Sequence, residues 1–182
     1  MKITYTIKFI LFILTFATII WLGGSIFRAV VAYSIFVPAT QLELKQDQTD
    51  EIRMHTVRIY TDTAIYTTVS FAVVFVIAIF FLFKYRRQLK VHGWLFMSFV
   101  LFFLASPVEI YLIYLDIKLM LYVNYNQNLY FKSYEVTEYF INRLRNLSVI
   151  STLAYLSFFT SIIFIIFKPL DRSIDITTEN KE

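Results

Sequence analysis

The residues with the most chemical potential are three charges set in apolar surroundings. Arg28 stands inside LGGSIFRAVVA, Glu109 inside LASPVEIYLIYLD, and Asp116 closes that same stretch. A guanidinium stays ionised at physiological pH and hydrocarbon cannot solvate it, so Arg28 requires a partner. Pairing a carboxylate with an arginine answers the needs of both groups. Glu109 is the first candidate partner for Arg28 and Asp116 the second. Other chemistry finds little footing. There is no cysteine, which excludes disulfides, thiolate metal sites and cysteine nucleophiles. His55 and His92 both fall outside the apolar runs, so a bis-histidine haem has no ligands, and no His, Asp and Glu residues recur at metal-ligand spacing. Gly23-Gly24 is followed by no Lys-Ser/Thr, and no serine has a nucleophile-elbow context. The expectation is a non-catalytic protein without a cofactor.

The elements that must hold these charges are membrane spans. The 182-residue chain is 58% hydrophobic and 19% aromatic, and only 16% of its residues are charged, against about 25% in soluble domains. Four runs approach or exceed the roughly 20 residues that cross a bilayer: 9–36, 64–83, 94–115 and 147–167. Read as a signal peptide instead, the first run would carry Lys2 and Lys8 ahead of it and Val30-Val31-Ala32 as a cleavage site, but its length favours an uncleaved span. One membrane domain over 1–170, with a short polar tail at 171–182, is expected.

Orientation follows from the cations. The loop KYRRQLKVH, residues 84–92, carries four Lys or Arg and no acid. Such a short basic loop is expected on the cytoplasmic side. Both termini then lie inside as well, with Lys2 and Lys8 at one and Lys168 and Arg172 at the other, in a cell (inner) membrane. The net charge of +4 reflects this bias and indicates no nucleic acid partner.

Segments 37–63 and 116–146 fall outside under this topology and read as helical. Thr49-Asp50-Glu51 offers a cap and first-turn acids, and no Gly or Pro interrupts the chain from there to Phe83. Ser133 is expected to cap a helix running through YEVTEYFINRLRNL into the fourth span, with Val136, Phe140, Leu144 and Leu147 as its apolar stripe. The third span is expected to continue past Asp116. The fold class is thus all-α, an integral membrane four-helix bundle whose helices extend beyond the outer surface. Interfacial helices or loops are the alternative reading of these outer segments.

The faces of the helices refine the placement of the charges. Gly24, Arg28 and Ala32 share a face, and Ser25 and Ala29 flank it at the small-xxx-small spacing of close packing. At ~1.5 Å per residue, Arg28 lies about 28 Å from Phe9 and Glu109 about 22 Å from Trp94, so both sit in the outer half. Pro107, which stands between Ser106 and Glu109, removes one backbone hydrogen bond and is expected to kink the helix. Two polar stripes point to the same level: Thr56, Tyr60, Thr63, Thr67 and Ser70 on the second helix, and Arg145, Ser148, Thr152 and Tyr155 on the fourth. The inner half holds few such groups apart from Thr15, Ser98, Thr160 and Ser161. Together Ser106, Asp116, Thr63, Thr67, Ser70, Ser148 and Thr152 either line an outward pocket with Arg28 and Glu109 at its base, or form a hydrogen-bonded bundle core. Tyr111, Tyr114, Tyr122, Tyr125, Tyr130 and Phe131 read first as an interfacial aromatic belt.

The stretch from Ile19 to Pro38 resembles the first span of a bacterial four-span membrane domain family of unknown function, related to copper-resistance-type proteins. The resemblance rests on Trp21, Leu22, Gly23, Gly24, Phe27 and Pro38, about a tenth of the chain. It implies a four-span fold. Where that family would carry His and Asn near the last helix, this chain has RLRNLSVIS.

Three roles fit this reading. The first is an accessory or interaction subunit that packs against other membrane subunits or itself within the lipid bilayer. The second is a transporter or channel component with a polar vestibule at Arg28 and Glu109, and the third an outward-facing sensor.

Overall fold

The computed structural model describes residues 5–126 and 129–169. The termini beyond these limits, with Lys2, Arg172 and the expected tail at 171–182, lie outside the described residues. The chain is all-α, and four long apolar helices dominate it: α1 (Tyr5–Tyr33), α2 (Asp50–Leu89), α3 (Gly93–Tyr125) and, after two short helices, α6 (Ser148–Phe167). Each is long and apolar enough to cross a membrane. Their large side chains face outward in numbers that water would not tolerate. On α1, Phe9, Phe12, Phe16 and Ile19 are exposed, while small or polar residues such as Ala17, Ser25 and Ala32 are buried. This inversion of the soluble pattern is what a lipid solvent permits, since lipid tails are as apolar as leucine. The protein is a multi-pass membrane protein.

The helices divide into two compact units. Among the described residues, the first comprises 5–77, 111–126 and 129–148, and the second 78–110 and 149–169. α2 and α3 contribute to both.

In the first unit, the chain leaves α1 at Tyr33 and makes a tight reversal before α2. The Val37 N–H donates to the Glu43 carbonyl at 2.8 Å and the Lys45 N–H to the Ile35 carbonyl at 3.0 Å, while Ala39 and Leu42 turn the corner with φ of 62° and 61°. α2 begins at Asp50, where the acids of the first turn complement the helix dipole and Thr49 Oγ1 accepts from the Ile52 N–H at 3.4 Å. α2 spans 40 residues and α3 spans 33, so they extend about 60 and 50 Å, well past a hydrocarbon core of about 30 Å. α3 runs through Pro107 and past Asp116 without interruption.

The segment after residue 133 departs from one long helix. Ser133 caps α4 (Tyr134–Val136) as the sequence suggests, its hydroxyl accepting from the Val136 N–H at 3.3 Å. A π-helical turn, Thr137–Ile141, follows, in which the Asn142 N–H reaches back five residues to Thr137. α5 (Asn142–Asn146) then ends at Leu147, whose φ of −107° and ψ of 1° break the helix before α6. The helix expected to run unbroken into the fourth span is therefore three short pieces and a new start. The stripe expected along it keeps Val136 and Phe140 fully buried, with Leu144 packed at the edge.

These pieces close a core that resembles that of a soluble domain. Ala32, Ile35, Phe36, Met54, Val57, Tyr60, Leu119, Val123, Phe131, Val136 and Phe140 pack together. Arg53 ties the reversal to α2, donating to Asp50 Oδ1 and to the Lys45 carbonyl, both at 2.7 Å.

In the second unit, α3 and α6 are joined by Ser98 and Ser161. Each hydroxyl lies 2.9 Å from the other residue's carbonyl, and the two oxygens are 2.8 Å apart. Such reciprocal bonding requires close backbones, which small residues permit. Phe102 and Phe158 pack edge to face at 5.4 Å on the same pair of helices.

Candidate functional site: a buried Arg–Asp–Arg cluster

The polar centre of the first unit is assembled by α1, α2, α3 and α5. α1 buries Trp21, Leu22, Ser25, Arg28 and Ala32, a stripe at helical spacing that aims Arg28 at α2 and α3. The approach is close because residue 24 lacks a side chain: a Cβ there would fall 2.7 Å from Thr67 Cγ2. Trp21 meets Phe71 one turn further along, ring centroids 4.9 Å apart.

Arg28 is 6% exposed and uses every face of its guanidinium. Nε donates to the Tyr60 carbonyl at 3.2 Å, and Nη1 donates to Thr67 Oγ1 at 3.1 Å. Nη2 lies 2.8 Å from Asp116 Oδ2, an ionic contact off the line that a hydrogen bond needs. The guanidinium carbon also sits 4.2 Å from the centre of the Tyr60 ring, within cation–π range. Thr67 is held in turn by its own helix, its hydroxyl donating to the Ala64 carbonyl at 3.0 Å while its oxygen accepts from Arg28.

Asp116 is 2% exposed and is the hub. Its Oδ1 accepts from the Tyr60 hydroxyl at 3.1 Å and from Arg143 Nη1 at 2.5 Å, and its Oδ2 faces Arg28. Arg143 also stands 5.5 Å from the Tyr60 ring centre, so Tyr60 is flanked by two guanidiniums and bonded to the carboxylate between them. Phe140, on the π turn, packs against the same ring at 5.1 Å. Burial strengthens each electrostatic contribution and makes any missing partner costly.

Asp116, the candidate named second, is a carboxylate paired with Arg28. The two acids, Asp116 and Glu109, lie on one helix about 10 Å apart by the helical rise. Glu109 is buried, at 5% exposure, within the second unit. Ser106 is buried there too, its hydroxyl donating to the Phe102 carbonyl of its own helix at 2.8 Å.

The remaining candidates separate by burial. Of the α2 stripe, Tyr60 and Thr67 are buried and join the cluster, whereas Thr63 is half-buried and bonds the Ile59 and Tyr60 carbonyls of its own helix. Ser70 and Ser148 are half-buried, and Thr152 is exposed, so the fourth-helix stripe is not a buried lining. Ser25 and Ala32 are buried in the α1 face, but Ala29 is exposed: the inward face follows steps of three and four from Ser25 to Arg28 to Ala32, which leaves residue 29 turned away. Arg143 is the member of the cluster that the sequence does not single out. The signal available was a second arginine in a stripe with Val136 and Phe140, but the π turn, which shifts register by one residue, is what sets its direction.

Among the described residues, no three His, Asp or Glu side chains gather as a metal site would require. No known protein family matches the chain, and neither a curated protein nor a solved structure resembles it closely enough to match.

Proposed function

We propose that this membrane protein is a non-catalytic accessory or interaction subunit, inserted with both termini cytoplasmic, whose first unit carries, beyond its spans, a packed platform for another membrane component or a second copy. One observation carries this reading. Three of the polar groups that would have lined a substrate pocket, Arg28, Thr67 and Asp116, are engaged with one another: both Asp116 oxygens are occupied and Arg28 is bound by a carbonyl, a hydroxyl and a carboxylate. A transport vestibule keeps such groups available to its cargo, whereas a lock uses them internally. The packed apolar core beside the cluster supports the same role, because a preformed surface binds with little ordering cost.

The full chain, tagged once and produced at its native level, should be extracted gently after cross-linking in intact membranes. The expected result is a complex heavier than the monomer, containing a stoichiometric partner or a second copy. A lone monomer, cross-linked to nothing, overturns the proposal. Solute flux in proteoliposomes that Arg28→Gln abolishes, in a variant that still inserts, would replace it with the transport reading.

A further inference from the structure

The end of the molecule formed by the α2–α3 turn and the C-terminus of α6 has a chemistry unused by the cluster. Residues 84–92 carry Lys84, Arg86, Arg87 and Lys90 without an acid, and all four are exposed. They occupy the end of α2 and the turn after it, where the bare carbonyls of the helix end favour cations. Their position, directly after the apolar run that ends at Phe83, is the headgroup level of a bilayer. α6 delivers one more. The chain leaves α6 at Lys168 with φ of 47°, its N–H donating to the Phe164 carbonyl at 3.0 Å, and this turn brings the ammonium 5.7 Å from the Trp94 ring centre. His92 lies against the same indole, centroids 5.9 Å apart.

Trp94 adds the second, independent observation. Its indole N–H is buried and meets no hydrogen-bond acceptor among the described residues. A donor of this kind costs free energy unless an acceptor arrives. Beside it stand Lys168, which supplies positive charge, and an apolar span surface, which favours acyl chains.

We propose that this end of the second unit binds the phosphate of an anionic phospholipid headgroup. Trp94 Nε1 and Lys168 Nζ hold the phosphate, and the cations of residues 84–90 supply the surrounding field. Anionic lipid is the occupant favoured by charge complementarity and by position, since a headgroup is held at this level by its own acyl chains while a soluble anion is not. Lipid binding here requires insertion in a bilayer but not the subunit role above, so a monomer with no protein partner would leave it standing.

The test uses the purified full chain in nanodiscs of phosphatidylcholine with and without phosphatidylglycerol, with retained lipid counted by native mass spectrometry. Wild-type protein is expected to retain phosphatidylglycerol over phosphatidylcholine. Lys168→Gln is expected to reduce that preference about fivefold, the worth of one cation near a charged membrane surface. Trp94→Phe keeps an aromatic ring, removes the N–H, and is expected to reduce it severalfold with helicity unchanged. If a variant loses helicity, the wild-type preference measured from low to high salt replaces it, and it is expected to fall as salt screens the cations. Equal retention of the two lipids, or a preference that neither salt nor a folded variant alters, overturns the proposal. Displacement of the lipid by millimolar inorganic phosphate would reassign the site to a soluble anion, and binding of an acidic peptide without lipid preference would reassign it to a protein partner. Either result overturns the lipid assignment.

Discussion

Asp116 illustrates how one residue's importance depends on the number of groups that rely on it. It lies between two guanidiniums and accepts the Tyr60 hydroxyl, so Asp116→Asn removes the negative charge that faces both cations. Removing one member of a buried ion pair costs about 3–5 kcal/mol, and this variant is expected to fall in that range. The midpoint of unfolding in mixed detergent micelles measures it. The network nature of the site makes a sharper prediction. For an isolated pair, exchanging the charges through Arg28→Asp with Asp116→Arg would restore stability. Here the exchange places a new guanidinium opposite Arg143 and is expected to restore less than half of the loss. Full restoration would show that Arg143 contributes nothing. Sequence alone identified Arg28 and named both acids, because charges within apolar runs are conspicuous. It ranked them by counting residues along straight spans, and a register count cannot tell which carboxylate a side chain several ångströms long will reach.

At the scale of elements, the site depends on how closely α1 and α2 approach. Residue 24 is glycine because Thr67 Cγ2 occupies the space of its Cβ, and Thr67 is also a ligand of Arg28. Gly24→Ala is therefore expected to push Thr67 off Arg28 and destabilise the unit by about 1–3 kcal/mol, the usual cost of overpacking. Thr67→Ser, which keeps the hydroxyl and removes the methyl, should recover most of that loss in the double variant. A Gly24→Ala variant as stable as wild type would mean that the helices separate without consequence. Its neighbour Gly23 faces open space, with nothing within 4 Å of where a Cβ would stand, and has no such constraint. The capping signals at Thr49 and Ser133 were readable because caps are local chemistry. The π turn and the break at Leu147 were not, since no Gly or Pro marks them. They arise from fitting Val136, Phe140 and Arg143 simultaneously to the core and to Asp116.

At the scale of the whole molecule, orientation is the property with the widest consequences, and the chain is well suited to testing it. It contains no cysteine, so a single introduced cysteine reports one position without background. Asp47 lies in the reversal between α1 and α2, and Lys90 in the turn between α2 and α3; both are exposed. Asp47→Cys is expected to react with a membrane-impermeant maleimide on intact cells, and Lys90→Cys only after permeabilisation. The opposite pattern would reverse the orientation, and labelling of both from outside would remove α2 as a span.

The sequence by itself determined the solvent and the class. Four long apolar runs cannot be hidden by a chain of this size, so they require lipid, and lipid requires helices that satisfy their own backbones. It also showed which residues carry charge into the apolar layer. The partners of those charges were decided by tertiary structure alone. Asp116 receives Arg28, and Arg143 joins from a segment 27 residues further on, because helix extension, a π turn and the Gly24–Thr67 approach set directions that no periodicity encodes. Hydrophobic pattern is read one residue at a time along a helix, whereas an ion cluster exists only where several helices converge.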